Sequence, residues 1–316
     1  MDKTLKQPLV IIVGPTAAGK TALSLALAGR LGGEIVSADS RLLYRGMDIG
    51  TAKPTEAEMK AIPHHLIDMA EPDDVWSLGI YQRETYKVID QIHKRGNVPF
   101  LVGGTGQYIR SIIEGWRIPP QEPDYHLRDA ITHWAEIIGP EGLHERLERL
   151  DPAAASKIDY RNLRRTVRAL EVIFKTGERF SDLRQKQSPR YRPLTVGINR
   201  PREILYQRVD QRIEQMLAKG LVGEVQGLLE AGYSPDLPTM SAIGYGEIIQ
   251  YLQGEISLDE AVALIKRNTR IFVRRQANWF KVDDDRIAWF MIHEDDDEGD
   301  VIDSMEAYIR RNLNDV

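Results

Sequence analysis

The sequence contains no cysteine. This absence excludes disulfide bonds, thiolate nucleophiles and zinc sites with cysteine ligands, and it is compatible with a reducing compartment. Long apolar runs are also missing, because no stretch approaches the roughly 18 apolar residues that a membrane-spanning helix needs. The N-terminus carries charge but lacks the length and the small-residue cleavage site of a secretory signal peptide. We therefore expect a cytoplasmic protein that does not enter a membrane.

The composition is otherwise ordinary, with 316 residues of which 42% are hydrophobic and 28% charged. Such a chain can form one large globular domain, or a domain that carries an insertion. The net charge of −5 is unevenly distributed. Residues 161–192 contain ten Arg or Lys and three Asp or Glu, and residues 264–281 contain six basic residues and no acidic one. These two basic segments suggest contact with a polyanion, although solvated helix faces would give the same pattern.

Short apolar segments alternate with helical patterns along the chain. Strands are predicted for residues 8–13, 34–38, 97–102, 194–198 and 286–293, and helices for residues 20–31, 78–95 and from 202 to the end of the second basic segment. This order predicts an α/β fold in which helices flank a parallel sheet. Ligands of such sheets bind at the carboxyl ends of the strands, where Gly14, Asp39 and Gly103 fall.

The pattern changes after the proline-containing segment "IPPQEPD", residues 118–124. From residue 125 to about 186 the sequence has helical character with charged faces, and it contains no strand candidate. We therefore predict an all-helical insertion domain at residues 121–190. The α/β core would be formed by residues 1–120 and 191–316.

A phosphate-binding loop (P-loop) follows the first predicted strand and precedes the first predicted helix, which is the context that the motif requires. The pattern G-x-x-x-x-G-K-[ST] is matched in full by Gly14, Pro15, Thr16, Ala17, Ala18, Gly19, Lys20 and Thr21. Backbone N–H groups at the start of the helix form an anion cradle. Lys20 would neutralise phosphate oxygens, and the Thr21 hydroxyl would hold a Mg²⁺ ion. The sheet is therefore predicted to be P-loop NTPase-like.

Asp39 is the acidic residue best placed to act with this loop. In P-loop ATPases an apolar strand ends in the Asp that supports magnesium. The strand "VPFLV" ends here in Gly103-Gly104-Thr105-Gly106 instead. Asp39, after "EIVSA", could support magnesium, act as a general base or cap the turn that follows. Beside a phosphate cradle we favour a chemical role.

Two arginines of the helix predicted after residue 202 could also meet a phosphate. Arg208 and Arg212 are four residues apart and therefore share one face, opposite the apolar positions 205, 209 and 213. If this face is turned toward the P-loop, the pair would clamp a phosphate group, with Arg212 the preferred candidate. Otherwise it is the exposed face of a core helix.

Five further segments accompany the P-loop in order along the chain. They are "ADSRLLYRGMDIGTAKP" (38–54), "PHHLIDM" (63–69), "PFLVGGTGQYI" (99–109), "SAIGYGE" (241–247) and "RRQANWF" (274–280). Together with the P-loop they resemble the tRNA dimethylallyltransferase family, the bacterial isopentenyltransferases that modify the adenine at tRNA position 37, just 3′ of the anticodon. The first and third of these segments are far more specific than the P-loop, which many families share. The zinc finger of eukaryotic relatives is absent.

The resemblance implies that the P-loop binds a diphosphate leaving group. The donor would be dimethylallyl diphosphate, and Lys20, the loop N–H groups and Mg²⁺ at Thr21 would stabilise the charge that develops as the allylic C–O bond breaks. Asp39 is implied as the base that takes a proton from the N6 amine of the adenine. Thr105 matches a position near the transfer site and could orient either the diphosphate or the amine. In the family an arginine in the 208–212 region clamps the leaving group.

A target adenine must leave the anticodon-loop stack to reach such a site. The resemblance and the basic segments together predict contacts with the tRNA anticodon stem-loop. The residues concerned are Asp39, Ser40, Arg41, Leu42, Thr105, Arg128, Leu163, Arg164, Arg165, Thr166, Val167, Arg168, Ser241, Ala242, Ile243, Gly244, Tyr245, Gly246, Arg274, Arg275, Gln276, Ala277, Asn278, Trp279, Phe280 and Lys281.

Two helical patterns carry the predicted cationic faces. In the insertion the buried stripe is expected to contain Leu163, Val167, Leu170 and Phe174, with Arg161, Arg165 and Arg168 on a stripe away from it. In the second basic segment Arg267, Arg270 and Arg274 share one face. We expect these two faces to contact the RNA backbone.

Three other functions fit part of the pattern. An ATP-dependent small-molecule kinase would explain the P-loop and Asp39, but not the insertion or the basic faces. A relative that prenylates free adenine nucleotides would share the core without needing those faces. A non-catalytic nucleic-acid-binding P-loop switch agrees less well with an intact Asp39. His64 and His65 have no partner at metal-ligand spacing and are interpreted as structural. We expect a monomer.

Overall fold

One sheet organises the part of the chain that the computed structural model describes, residues 6–118, 124–182 and 188–314. Its six strands are β1 (Pro8–Val13), β2 (Gly33–Ser37), β3 (His64–His65), β4 (Val98–Val102), β5 (Arg192–Asn199) and β6 (Ile287–Met291). The strand order is β3-β2-β4-β1-β5-β6, and every neighbouring pair is parallel. The predicted parallel sheet is confirmed, and β3 is a short edge strand that the sequence patterns did not reveal.

Twelve α-helices lie within the described residues. They are α1 (Lys20–Leu31), α2 (Glu56–Ala61), α3 (Leu78–Lys94), α4 (Gly106–Ile113), α5 (Tyr125–Leu150), α6 (Pro152–Ala155), α7 (Leu163–Thr176), α8 (Arg202–Ala218), α9 (Leu221–Glu230), α10 (Tyr245–Leu252), α11 (Leu258–Gln276) and α12 (Glu298–Asn314). Helix α1 packs against β1, β2 and β4, and α12 packs against α1 and β5. None of the described helices combines the length and the apolar composition of a membrane crossing.

The position of β1 in the sheet explains its sequence. It lies between β4 and β5 and is buried over Leu9–Val13, so it is a continuous apolar run rather than an alternating one. Because β2, β4 and β1 are neighbours, their carboxyl ends lie side by side at one edge of the sheet. The P-loop (residues 14–21), the turn that begins at Asp39 and the 103–106 loop leave the sheet at this edge.

The chain divides into two compact units. The first comprises Met1–Trp76, Ile80–Ile113 and Arg190–Val316, and it contains the sheet. The second comprises Ser77–Gly79 and Glu114–Pro189, and α5, α6 and α7 lie in it. Residues 183–186, at the end of the predicted helical insertion, lie outside the described residues.

The core of the second unit forms between α5 and α7. Helix α5 is broken at Gly139, whose φ of 78° and ψ of 160° are not helical, and Pro140 follows. The buried face of α7 includes Thr166, Ala169 and Leu170. The prediction that Phe174 belongs to this face is wrong, because Phe174 is 49% exposed. The other predicted members agree with the structure, since Val167 and Leu170 are buried and Leu163 is half-buried, and the small side chains of Thr166 and Ala169 extend the buried face.

Candidate active site

The two glycines of the P-loop motif are required by the path of the backbone. Gly14 lies so close to β5 that a Cβ atom would be 2.2 Å from the carbonyl oxygen of Ile198. Gly19 caps α1 with a φ of 106°, a left-handed conformation that residues with a Cβ rarely adopt. The first N–H groups of α1, which have no acceptor within the helix, can therefore bind an anion at this turn.

The Lys20 ammonium folds back onto its own loop. Nζ donates to the carbonyl oxygens of Gly14 at 3.0 Å and Pro15 at 2.8 Å. Burial lowers the pKa of Lys20 to about 8, while the negative charge of Asp39 raises it and the positive charge of Arg212 lowers it further. A bound anion would stabilise this poorly solvated ammonium, so the position suits a phosphate ligand.

Two arginines surround the P-loop from the side of β5 and α8. Arg208 Nε donates to the carbonyl oxygen of Ala17 at 2.8 Å, and Arg200 Nε donates to that of Ala18 at 2.9 Å. Burial and the charge of Arg208 lower the pKa of Arg200. Arg200 was not among the residues predicted from the sequence. It directly follows β5, so the rule that ligands bind at the carboxyl ends of strands would have identified it.

Arg212, one turn further along α8, contacts a different loop. Its Nη2 donates to the carbonyl oxygen of Thr51 at 3.3 Å. This loop is anchored by the Glu224 carboxylate, which accepts the N–H groups of residues 48, 49 and 50 at 3.0, 2.7 and 3.1 Å. Burial lowers the pKa of Arg212 and the negative charge of Asp39 opposes the change. The guanidinium nevertheless stays charged at neutral pH.

Asp39 begins the turn after β2, where it caps the turn and interacts with two cations. Its Oδ1 accepts the N–H of Arg41 at 2.9 Å, so the capping interpretation is part of the answer. The negative charge of Asp39 also acts to raise the pKa of both Lys20 and Arg212, so the carboxylate interacts electrostatically with these two cations. Capping uses one carboxylate oxygen and leaves the other for chemistry.

Thr105 ties the 103–106 loop to the turn after β2. Its hydroxyl oxygen accepts the N–H of Ser40 at 3.1 Å, and its own N–H donates to the carbonyl oxygen of Ala38 at 3.1 Å. Gly103 also lies against the residues that follow β2, because a Cβ atom at this position would be 2.3 Å from the Ala38 backbone. Thr105 is not among the described residues that line the cavity described next, and its contacts hold the two loops together.

A cavity of about 420 Å³ opens between these loops. Its polar lining includes Thr16, Lys20, Thr21, Asp39, Arg208, Gln211, Arg212, Gln215 and Gln276. Its apolar lining includes Ile35, Leu42, Ala52, Pro54, Ile67 and Val102. His64 also lines it, and burial lowers the pKa of this histidine. The structure thus brings Lys20, Asp39 and Arg212 to one cavity that has both a cationic and an apolar surface.

The predicted RNA-contacting residues near the cavity differ in exposure. Leu42 lines the cavity, and Arg41 Nη1 donates to the carbonyl oxygens of Pro238 at 3.3 Å and Thr239 at 3.5 Å. In the 241–246 segment only Ser241 is exposed, whereas Ala242, Gly244 and Tyr245 are buried and Ile243 and Gly246 half-buried. Most of this segment therefore shapes the turn before α10 and has little side-chain surface to offer a ligand.

The segment at the end of α11 alternates between exposed and buried side chains. The side chains of Gln276 and Phe280 are buried. The exposed side chains are those of Arg274, Arg275, Ala277, Asn278 and Lys281. Trp279 covers Gly106, where a Cβ would be 2.2 Å from the indole ring. Arg110 donates to the Trp279 carbonyl oxygen at 2.7 Å and lies 5.7 Å from the ring centre. Trp279 is thus fixed against the 103–106 loop.

The two predicted cationic faces contain fewer exposed arginines than helical spacing predicted, because several of these arginines pair with acidic residues. In the second unit, Arg128 and Arg168 each donate to the buried Glu171 at 2.7 Å, while Arg164 and Arg165 are exposed. Thr166 and Val167 are buried and Leu163 is half-buried. Arg161 precedes α7 and pairs with Asp159 at 2.7 Å. In the first unit, Arg270 pairs with Asp210, and Arg267 and Arg274 are exposed.

Comparisons with known proteins agree on one family. The IPP transferase family profile matches residues 42–283. The chain is 45% identical over 312 residues to the tRNA dimethylallyltransferase of Thermomicrobium roseum, covering 94% of this chain and 95% of that protein. It is 51% identical over 274 residues to the tRNA dimethylallyltransferase of a Roseiflexus species, covering 87% of this chain and 90% of the relative.

Solved structures give the same result for the fold. The full-length tRNA isopentenylpyrophosphate transferase of Bacillus halodurans aligns with a TM-score of 0.73 at 40% identity, over 98% of this chain and 97% of that one. A eukaryotic dimethylallyltransferase acting on tRNA aligns with a TM-score of 0.82 at 26% identity, over 97% and 79%. The predicted P-loop NTPase-like fold is confirmed, and the chain belongs to the IPP transferase family.

Proposed function

We propose that this protein transfers a dimethylallyl group from dimethylallyl diphosphate to the N6 amine of the adenine at tRNA position 37 and releases diphosphate. The names of the similar proteins support a tRNA substrate. The observation that carries the proposal is the cavity in which a cationic P-loop, the Asp39 carboxylate and an apolar wall meet. A phosphate cradle alone would suit any nucleotide, whereas the apolar wall suits a short hydrocarbon group.

The leaving group would be stabilised where the positive charges converge. As the bond between the allylic carbon and its oxygen breaks, the electron pair goes to the departing diphosphate. Lys20 and Arg212 line the same cavity, and Arg208 lines it next to the P-loop carbonyl that it binds. Because these cations are held by backbone carbonyls before the ligand arrives, little reorganisation is needed when charge develops.

Asp39 is the proposed base. The N6 lone pair of adenine is delocalised into the ring, so the amine attacks carbon effectively only as it loses a proton. The nitrogen forms the new bond to the allylic carbon, and its proton passes to the Asp39 carboxylate. Oδ1 is held by the Arg41 N–H, which fixes the orientation of the carboxylate and leaves Oδ2 for the proton.

We further propose that Mg²⁺ binds together with the diphosphate, at the Thr21 hydroxyl. Within the described residues no group of three or more His, Cys, Asp or Glu could hold a metal ion, so a site made of protein alone is not expected. Thr21 and Asp39 both line the cavity, and Mg²⁺ typically uses one or two side chains with substrate phosphates and water. When bound, the ion would neutralise charge on the departing oxygens.

The RNA would be held by exposed cations outside the cavity. Arg274, Arg275 and Lys281 are exposed in the first unit, and Arg164 and Arg165 are exposed in the second. Such side chains bind the phosphate backbone without reading the sequence of the RNA. We propose that these residues bind the anticodon stem-loop while the target base is turned out of its stack.

The direct experiment incubates the protein with unmodified tRNA, Mg²⁺ and dimethylallyl diphosphate that is labelled in the hydrocarbon part. The proposal predicts label in the RNA. Two parallel reactions replace tRNA by AMP or replace the prenyl donor by ATP labelled in the γ-phosphate. Label in AMP but not in tRNA would favour a prenyltransferase of free nucleotides. Transfer of labelled phosphate from ATP, with no transfer of the labelled hydrocarbon, would favour a kinase.

We also propose that the protein acts as a monomer in the cytoplasm. The support for the location is that the proposed substrate, tRNA, is a cytoplasmic molecule, and the groups that the proposed reaction uses, Lys20, Asp39 and Arg212, meet in one cavity without needing a second copy. Light scattering after size-exclusion chromatography tests the first part. A mass twice that of the chain, with activity that falls on dilution, would contradict it.

A further inference from the structure

Gln276 connects two of the loops that form the cavity. It is the last residue of α11 and is 7% exposed. Its Oε1 accepts the N–H of Thr16 in the P-loop at 2.8 Å, and its Nε2 donates to the carbonyl oxygen of Gly104 at 3.2 Å. The same side chain therefore binds the loop after β1 and the loop after β4, and it lines the cavity between them.

The local sequence is built around this amide. A Cβ at position 104 would be 2.3 Å from Gln276 Nε2, so any larger residue there would push the amide out of its present position. The hydrogen bond from the Thr16 N–H needs an acceptor, and the hydrogen bond to the Gly104 carbonyl needs a donor. The amide oxygen therefore faces the P-loop and the amide nitrogen faces the 103–106 loop. A glutamate of the same length would lack the donor. Methionine would fill the space with neither.

We propose that Gln276 is a positioning residue that holds the P-loop and the 103–106 loop at the separation required for prenyl transfer. This inference rests on the proposed function and assigns Gln276 a part other than the RNA contact expected from the sequence. The Thr16 N–H is used by Gln276, so the diphosphate takes its backbone donors from the later residues of the P-loop. The neighbouring Arg275 and Ala277 are exposed, which leaves RNA contact to the flanking positions.

The consequence of losing this amide is specific. Two loops that flank the transfer site would no longer be tied, and a shift of about 1 Å in the position of a reacting group can cost about 100-fold in rate. Diphosphate binding and the rate of transfer would both suffer, because the P-loop changes its path. The exposed cations that bind RNA would keep their places, so affinity for tRNA would not change.

The test compares Gln276→Met and Gln276→Ala with wild type and with the control Gln226→Ala. Gln226 is an exposed glutamine of α9 whose side-chain amide donates a hydrogen bond to Glu230, and it is not among the described residues that line the cavity. Three quantities are measured: the affinity for inorganic diphosphate with Mg²⁺ by calorimetry, the affinity for tRNA by filter binding, and kcat/KM for dimethylallyl diphosphate. The methionine variant retains the length and burial of the side chain, so folding can be checked by thermal melting.

We expect both Gln276 variants to bind diphosphate about tenfold or more weakly and to lose about 100-fold in kcat/KM, with the tRNA affinity unchanged. Weaker tRNA binding with unchanged diphosphate binding would overturn the proposal and make Gln276 an RNA contact. Unchanged values throughout would also overturn it. If wild type transfers no prenyl group, the proposed function fails, while the diphosphate titration, which needs no turnover, still decides the role of Gln276.

Discussion

Replacement of Asp39 by asparagine separates the chemical role of this residue from its structural one. Asparagine retains an oxygen in the position of Oδ1, which accepts the Arg41 N–H at 2.9 Å, so the turn after β2 should survive. It removes the charge and the proton acceptor. Alanine removes the turn bond as well, and a bond of this kind contributes about 1 kcal/mol to the free energy of unfolding.

Loss of a general base slows transfer by about 100- to 10,000-fold. A second effect acts on Lys20, because the charge of Asp39 raises the pKa of that ammonium. Asp39→Asn should therefore lower the pKa of Lys20 below about 8, so the ammonium loses its proton at a lower pH and diphosphate binding weakens earlier as the pH rises. Single-turnover transfer to prebound tRNA measures the first effect, and diphosphate titrations across pH measure the second.

The matched control is Asp74, which also caps a turn but lies outside the cavity lining. Its Oδ2 accepts the Glu71 N–H at 2.8 Å. Asp74→Ala should lower the unfolding free energy by about 1 kcal/mol and leave transfer unchanged. Transfer by Asp39→Asn at the wild-type rate would contradict the role of Asp39 as the base. A loss of stability in Asp39→Asn as large as that in Asp39→Ala would contradict its role in the turn.

Two other predictions follow from the charges. The affinity of the free protein for inorganic diphosphate should fall as pH rises through about 8, where Lys20 loses its proton, and calorimetry on either side of this pH should show the fall in wild type but not in Lys20→Met. Replacing Arg164 and Arg165 by glutamine should weaken tRNA binding and reduce the slope of log affinity against log salt by about one to two. Arg168→Gln, whose partner is the buried Glu171, should instead lower the melting temperature and change that slope less.

The parts of the fold that local patterns encode were predictable. The P-loop needs a buried strand, two glycines with unusual backbone demands and a helix start, and each of these leaves its own mark in the sequence. The ends of β2, shortly before Asp39, and of β4, just before Gly103, follow from short apolar runs. The rule that ligands meet the carboxyl ends of parallel strands then brought three distant segments to one site.

What local patterns could not supply is pairing between distant residues. The bond from Thr16 to Gln276 joins positions 260 residues apart, and no periodicity reports it. The exposed face of α7 was misjudged because helical spacing shows which residues share a face but not which partner neutralises them. Glu171 illustrates this, because it pairs with Arg168 three residues earlier on α7 and also with Arg128 on α5, and the second pair depends on how α5 packs.

The central claim is that the P-loop anchors a departing diphosphate while Asp39 deprotonates an adenine of tRNA. Mass spectrometry of nuclease-digested tRNA, after reaction with dimethylallyl diphosphate, tests it most directly. The account predicts one added dimethylallyl group on the adenine 3′ of the anticodon with wild type, and formation of the same product at least about 100-fold more slowly with Asp39→Asn. Unmodified tRNA with wild type, together with consumption of ATP to phosphorylate a small molecule, would contradict it.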